Sequence, residues 1–294
     1  MTALDTRPPD AETQPEVFED VTDPPSLIGR WTRRVAITSI VVFVGLPIFT
    51  LLIWSFAFRW NFPDLLPSEW GNRAWAYVAS DSSRTFEGLW NSTKLAVLVT
   101  IMAIVVGLPA SRALGQHDFR GKSTVEWLLM MPIIVPTLVA TMGIHQIFIR
   151  MRLTETLFGV ALVHLIPAIP YFVLVMASVF ANYGTALEET AQSLGANKIQ
   201  VFRYVTLPAI SSGLLVASMF TFLISWGQYV TTLLIGGGTF VTLPLVLFPF
   251  LSGASHSNAA AISLVFVAPA IIVLILTSRQ LGRDSSAMGG FGKL

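Results

Sequence analysis

The sequence predicts an all-α polytopic membrane protein, with six transmembrane helices and a pair of short cytoplasmic helices between spans four and five. Two observations carry this. Six apolar stretches recur along the chain, each of about 20 residues, the length that crosses a bilayer. Charged residues make up only 12% of the 294, where soluble domains carry about 25%. With 53% hydrophobic residues and a mean hydropathy of +0.68, most of the surface faces lipid.

Taken in order, residues 1–29 are rich in Pro, Asp, Glu and Thr and bury too little apolar surface to fold. They read as a disordered cytoplasmic tail. The first apolar run starts only near Val35, which argues against a signal peptide. The transmembrane domain is expected over 30–283, with a cytoplasmic tail at 284–294. Its spans fall at about 35–57, 92–114, 127–149, 157–180, 210–234 and 259–277. Pro132 and Pro136 lie in the third, Pro167 and Pro170 in the fourth, and Pro269 in the sixth. A proline inside a span removes a backbone hydrogen bond and needs cover from neighbouring helices, so a packed bundle is expected. The segment Phe58 to Asn91 carries Trp60, Trp70, Trp75, Tyr77 and Trp90, residues that suit a membrane interface. They also suit a docking surface. Gly236, Gly237 and Gly238 end the fifth helix, and Val241–Leu251 is apolar but too short to span. It reads as a re-entrant or interfacial helix at the outer mouth.

Orientation follows from lysine and arginine. With the N-terminus inside, the inner segments hold twelve of them: Arg7, Arg30, Arg33, Arg34, Arg112, Arg120, Lys122, Lys198, Arg203, Arg279, Arg283 and Lys293. The outer ones hold six: Arg59, Arg73, Arg84, Lys94, Arg150 and Arg152. Both termini are therefore expected in the cytoplasm.

Several chemistries are excluded. There is no cysteine, hence no disulfide, thiolate nucleophile or thiolate metal site. The four histidines, 117, 145, 164 and 256, are never paired at helical spacing, so no metal site is expected. A net charge of +1 gives no field for nucleic acid. No phosphate loop occurs; Gly115 followed by Gly121-Lys122-Ser123 is one residue too long and follows no strand. An integral-membrane lipid-modifying enzyme would need clustered carboxylates or a nucleophile–base set, and the acidic pair Glu188–Glu189 has no histidine near it. A structural or assembly membrane protein is the other competing class. Inside the spans the polar candidates are His145, Gln146, Trp226, Gln228 and Tyr229, with His164 and Tyr171. Such groups either line a path or hydrogen-bond between helices.

The longest inner loop between spans, Ala181 to Pro208, carries the most information. Glu188 to Leu194 favours a helix, and Gly195 stops it where a positive φ is needed. Residues 198–205 form a second short helix, closed by Pro208. Glu189 lies in the first turns of its helix, where a carboxylate is favoured and can pair with a partner's cation. The small Ala191 allows close approach.

This loop resembles that of the binding-protein-dependent ABC importer permeases. Their signature is Glu-Ala-Ala, three residues, Gly, nine residues, then Ile-x-Leu-Pro. Here Glu189-Thr190-Ala191, Gly195 and Val205-Thr206-Leu207-Pro208 stand at those spacings, with Thr190 for Ala and Val205 for Ile. The resemblance covers about Arg30 to Arg283 and includes Asn91–Ser92 and the short loop 115–126. It implies that Glu188, Glu189, Thr190, Ala191, Gly195, Val205, Leu207 and Pro208 couple the chain to a separate ATPase. No cofactor is expected on this chain, since ATP is bound by that partner. The other implied partners are a second permease subunit (a heterodimer rather than a homodimer), an extracytoplasmic solute-binding protein, and the lipid of a bacterial plasma membrane.

The stretches Ser225-Trp226-Gly227-Gln228-Tyr229-Val230, Gly236-Gly237-Gly238 and Thr242-Leu243-Pro244-Leu245 resemble the branch serving polyamines, ferric iron and thiamine. Polyamine permeases tend to hold an acidic pair at the positions of Gly227 and Gln228, and neither acid is present. A sugar-uptake permease is the alternative, since Trp226 and Gln228 are loosely similar to a Trp-Asn-x-Phe run.

Overall fold

A computed structural model describes residues 27–60, 63–253 and 255–291. The expected tail lies outside these residues up to position 26, and helix already begins at Leu27. The chain divides into two compact units, 1–47 and 48–294. In the first, the described residues belong to helix α1 (Leu27–Phe56), on which Val35, Ile40, Phe43 and Leu46 are exposed.

The second unit starts with the end of α1. A small antiparallel ribbon follows, β1 (Ala57–Arg59) against β2 (Glu69–Trp70), in register Ala57 with Trp70 and Arg59 with Glu69. Helix α2 (Arg73–Ala79) comes next, then α3 (Thr85–Gln116). Helix α3 begins seven residues before the expected span. Arg84, with φ +52, folds its guanidinium onto Glu87 through two 2.8 Å bonds and closes the first turn.

Five helices are long and apolar enough to cross a membrane among the described residues: Arg34–Phe56, Thr85–Gln116, Leu157–Tyr183, Lys198–Trp226 and His256–Gln280. The third expected span, 127–149, is not one helix. It is α4 (Lys122–Ile134) and α5 (Thr137–Arg150), bent by 102°. Pro136 has no N–H to continue the ladder and pushes Val135 into extended backbone, at φ −74 and ψ 129.

Helix α6 (Leu157–Tyr183) is capped by Thr156, which accepts from the Gly159 N–H at 3.0 Å. The short helices α7 (Ala186–Ser193) and α8 (Lys198–Val201) follow. Pro208 does not close the second of these. A π-helical turn, Phe202–Thr206, carries the chain straight into α9 (Leu207–Trp226), with the Leu207 N–H bonded to the Phe202 carbonyl five residues back. Widening the ladder there lets a helix run through a proline that would otherwise clash with the preceding turn. The expected fifth span, 210–234, breaks at Gly227–Tyr229, and α10 (Val230–Gly236) is a separate helix. The expected short helix at 241–251 is α11 (Leu243–Leu251), and α12 (His256–Phe291) runs on through the expected C-terminal tail to residue 291.

The core of this unit lies where α3, α6 and α9 pack, around Phe172, Met176, Phe180, Ile210 and Ala217. Small residues bring α3 close: Ala103, Gly107 and Ser111 are buried, and a Cβ on Gly107 would run into the Phe172 ring.

Candidate functional site

The loop 184–206 folds into a two-helix knob. Helix α7 ends in a paired motif: the Gly195 N–H bonds the Gln192 carbonyl at 2.9 Å, and the Ala196 N–H bonds that of Ala191 at 3.1 Å. Gly195 has φ +89, the left-handed region the sequence requires of it. Helix α8 starts with a capping box. The Asn197 side chain accepts from the Gln200 N–H, and the Gln200 side chain accepts from the Asn197 N–H, both at 2.9 Å. The knob is thus internally fixed within about twenty residues.

Its surface is unusual for a polar loop. Leu187, Leu194, Ile199 and Tyr204 are 60%, 84%, 78% and 70% exposed. Glu189 and Thr190 are also exposed, with Thr185 donating to the Glu189 carboxylate at 2.7 Å. Ala191, Val205 and Leu207 are half-buried and Pro208 is exposed at the base.

Glu188 differs from its neighbours. It is the only buried residue of α7. Arg112 on α3 donates from Nη2 to Oε2 at 2.5 Å, and Thr206 donates to Oε1 at 2.6 Å. Its carboxylate therefore faces its own chain, not a partner. Spacing gives no hint of this, because neighbouring acids on a helix look alike until the packing partners are known.

The polar candidates within the spans do not gather in one place. His145 is half-buried and Gln146 exposed on α5. Trp226 is buried, donates to the Phe266 carbonyl at 3.1 Å, and stacks between Phe222 and Phe266. That is a packing role between α9 and α12. Gln228 and Tyr229 lie at the break between α9 and α10. Thr231 donates to the Gln228 side-chain carbonyl at 3.0 Å, and Tyr229 stacks on Phe248 at 3.8 Å. His164 is fully buried beneath this break. Its Nδ1 pairs with Ser225 at 3.0 Å and its Nε2 with Thr232 at 2.9 Å, which ties α6 to α9 and α10. An apolar cavity of about 220 Å³ opens between the α4–α5 bend and α6, with Thr141 and Thr231 among its lining.

At the other end of α3, Asn91 and Ser92 acquire a role. Asn91 donates to the Val241 carbonyl at 2.9 Å, and Ser92 accepts from the Leu243 N–H at 2.8 Å. Together they pin the start of α11. Gly88, one turn earlier, leaves room for that backbone.

Residues 103–280 match the family described as binding-protein-dependent transport system inner membrane component. The chain belongs to this family. It is the membrane permease component of an ABC importer, without enzymatic activity of its own, and the family is a multi-pass inner-membrane one. Among its relatives, the probable molybdenum ABC transporter permease of Haloferax volcanii is 30% identical over 195 residues, covering 63% of this chain and 72% of that one. The diacetylchitobiose uptake system permease of Streptomyces coelicolor is 26% identical over 270 residues, covering 87% and 95%. In fold, the chain is similar to a bacterial ABC transporter involved in the import of the acidic polysaccharide alginate. The TM-score is 0.66 at 16% identity, over 86% of this chain and 96% of that one.

Proposed function

We propose that the α7–α8 knob is the surface through which a separate ATPase subunit drives this permease. The observation that carries this is the exposure of Leu187, Leu194 and Ile199 on a knob whose turn is closed by the Gly195 and Ala196 amides and by the Asn197–Gln200 capping box. Apolar side chains held outward on a rigid loop fit a groove in a partner better than water. Glu189, Thr190, Ala191, Gly195, Val205, Leu207 and Pro208 belong to this coupling surface or its base. Glu188 supports it from behind.

The remaining assembly follows the same reading. The transmembrane domain spans 30–283, and the bent α4–α5 pair serves as one crossing. Six crossings and twelve inner against six outer cations keep both termini in the cytoplasm. A related second permease chain completes the path as a heterodimer, and an extracytoplasmic binding protein hands over the solute. ATP stays with the partner, and this chain holds no cofactor.

For the solute, a small molecule of the thiamine or ferric-iron kind is favoured over a polyamine. The α9–α10 break presents the Gln228 amide and the Tyr229 ring, and no acid to match a polycation. A sugar is the second reading, supported by the relative named for diacetylchitobiose uptake. His145, Gln146, Gln228 and Tyr229 are the path candidates, and Trp226 fixes the end of α9 just before Gln228 and Tyr229 by packing against α12.

Affinity purification from the native membrane in mild detergent, followed by mass spectrometry, tests this. Recovery of a P-loop ATPase with a second six-span chain is expected, and a Leu194→Glu variant should lose the ATPase and keep the second chain. Wild-type chain recovered alone after cross-linking would overturn the reading.

A further inference from the structure

The attachment of the knob to the bundle is the unusual feature. Its side chains otherwise bond within the knob among the described residues: Thr185 to Glu189, Thr190 to Ala186, Ser193 to Glu189, and Asn197 with Gln200. Its two covalent connections differ in kind. Towards α6 stands Gly184, with φ +68 and no side chain to restrain it. Towards α9 the helix runs on through the π turn, where the ladder is locally widened. A glycine connection acts as a hinge unless something holds the knob across it.

Glu188 spans both connections. Its Oε2 holds Arg112 on α3 and its Oε1 holds Thr206 in the π turn. Arg112 continues through Nε to the Gln116 side chain at 3.0 Å, and Gln116 donates to the Gly184 carbonyl at 3.2 Å. The buried Tyr183 hydroxyl lies near Thr206 and Glu188, outside hydrogen-bonding geometry. One carboxylate thus ties α7 to α3 and to the π turn, and Gln116 adds a separate tie from α3 to Gly184. Charge-assisted bonds of this kind are short and directional, which suits a rigid joint.

We propose that Glu188 is a positioning residue that makes the knob move as one body with α3, through Arg112, and with the base of α9, through Thr206. It would pass the partner's stroke to the spans without touching the partner. This rests on the docking reading above, and the experiment separates the two.

The chain has no cysteine, so paired spin labels can be placed without background. Gln192 on the knob and Val106 on the outer face of α3 are both exposed. The labelled chain, purified with its ATPase and reconstituted in nanodiscs, is measured with and without ATP and vanadate. In the wild type the distance distribution should be narrow and the same in both states. In Glu188→Gln it should broaden when nucleotide is added. The wild-type population should fall roughly fivefold, the lower end of typical coupling between sites. ATPase binding should be retained. Restoring opposite charges with Glu188→Arg and Arg112→Glu should recover the narrow distribution. A Glu188→Gln distribution identical to the wild type in both states would overturn the proposal. So would a broadening that is complete before nucleotide, which is what a merely stabilising role predicts. Retention of the ATPase by Leu194→Glu on the same samples would instead sink the docking reading, and this one with it. If Glu188→Gln does not accumulate, Thr206→Val, which leaves the ion pair, is read in its place.

Discussion

The two ends of the α3–α6–α9 bundle use short helices in opposite ways. At one end, α7 and α8 turn Leu187, Leu194 and Ile199 outward and are held from beneath by the charged Glu188–Arg112 contact. At the other, α10 and α11 turn Ile235, Leu243, Val246 and Leu247 inward and are held by hydrogen bonds with Asn91, Ser92 and His164. The first arrangement leaves apolar surface for another molecule. The second spends it on the chain's own core. Short helices of similar length thus turn their apolar side chains outward or inward, depending on which face the anchoring contacts hold.

The largest effect should come from making the knob polar. Leu194→Glu with Ile199→Glu removes two apolar side chains, each worth about 1.5–3 kcal/mol when buried. ATPase retention should fall roughly 100-fold in a co-purification titration, with thermal unfolding unchanged. The converse change at the other end is Asn91→Ala with Ser92→Ala. It leaves the Leu243 N–H and the Val241 carbonyl without these partners, at about 1–3 kcal/mol each. Thermal unfolding in detergent should drop while ATPase retention stays as in the wild type. If retention fell instead, the two ends would not be separable. Gly195→Val places a β-branched residue at φ +89, which costs about 1–2 kcal/mol and should weaken ATPase retention about tenfold. The smallest effect is that of Glu189→Gln, an exposed group bonded to Thr185; stability should change by less than about 0.5 kcal/mol, whereas ATPase retention should still fall measurably.

Much of the helical layout is legible in hydropathy. The expected spans 157–180 and 259–277 lie inside α6 and α12, the expected span 35–57 overruns α1 by one residue, and the expected short helix at 241–251 overlaps α11. Where the reading departs, the cause is local. Apolar composition is the same on both sides of Val135–Pro136, so a window sees one span where the backbone bends by 102°. Pro208 looks like a stop, yet the π turn before it absorbs the missing hydrogen bond. The polar groups around Gly227–Tyr229 looked like one cluster in a helix. The break sends Trp226 into packing against α12 and leaves Gln228 and Tyr229 beside α10 and α11.

The sequence by itself determined the two-helix loop: its helix, its glycine, its spacing to Leu207-Pro208, and the apolar lengths that flank it. These are properties of consecutive residues, and local backbone preferences with a bilayer's thickness are enough to read them. Only the tertiary structure decided that Glu188 turns inward while Glu189 turns out, and that Asn91 and Ser92 serve a segment 150 residues away. Those outcomes depend on which groups meet across the bundle, and no pattern of neighbours along the chain carries that distance.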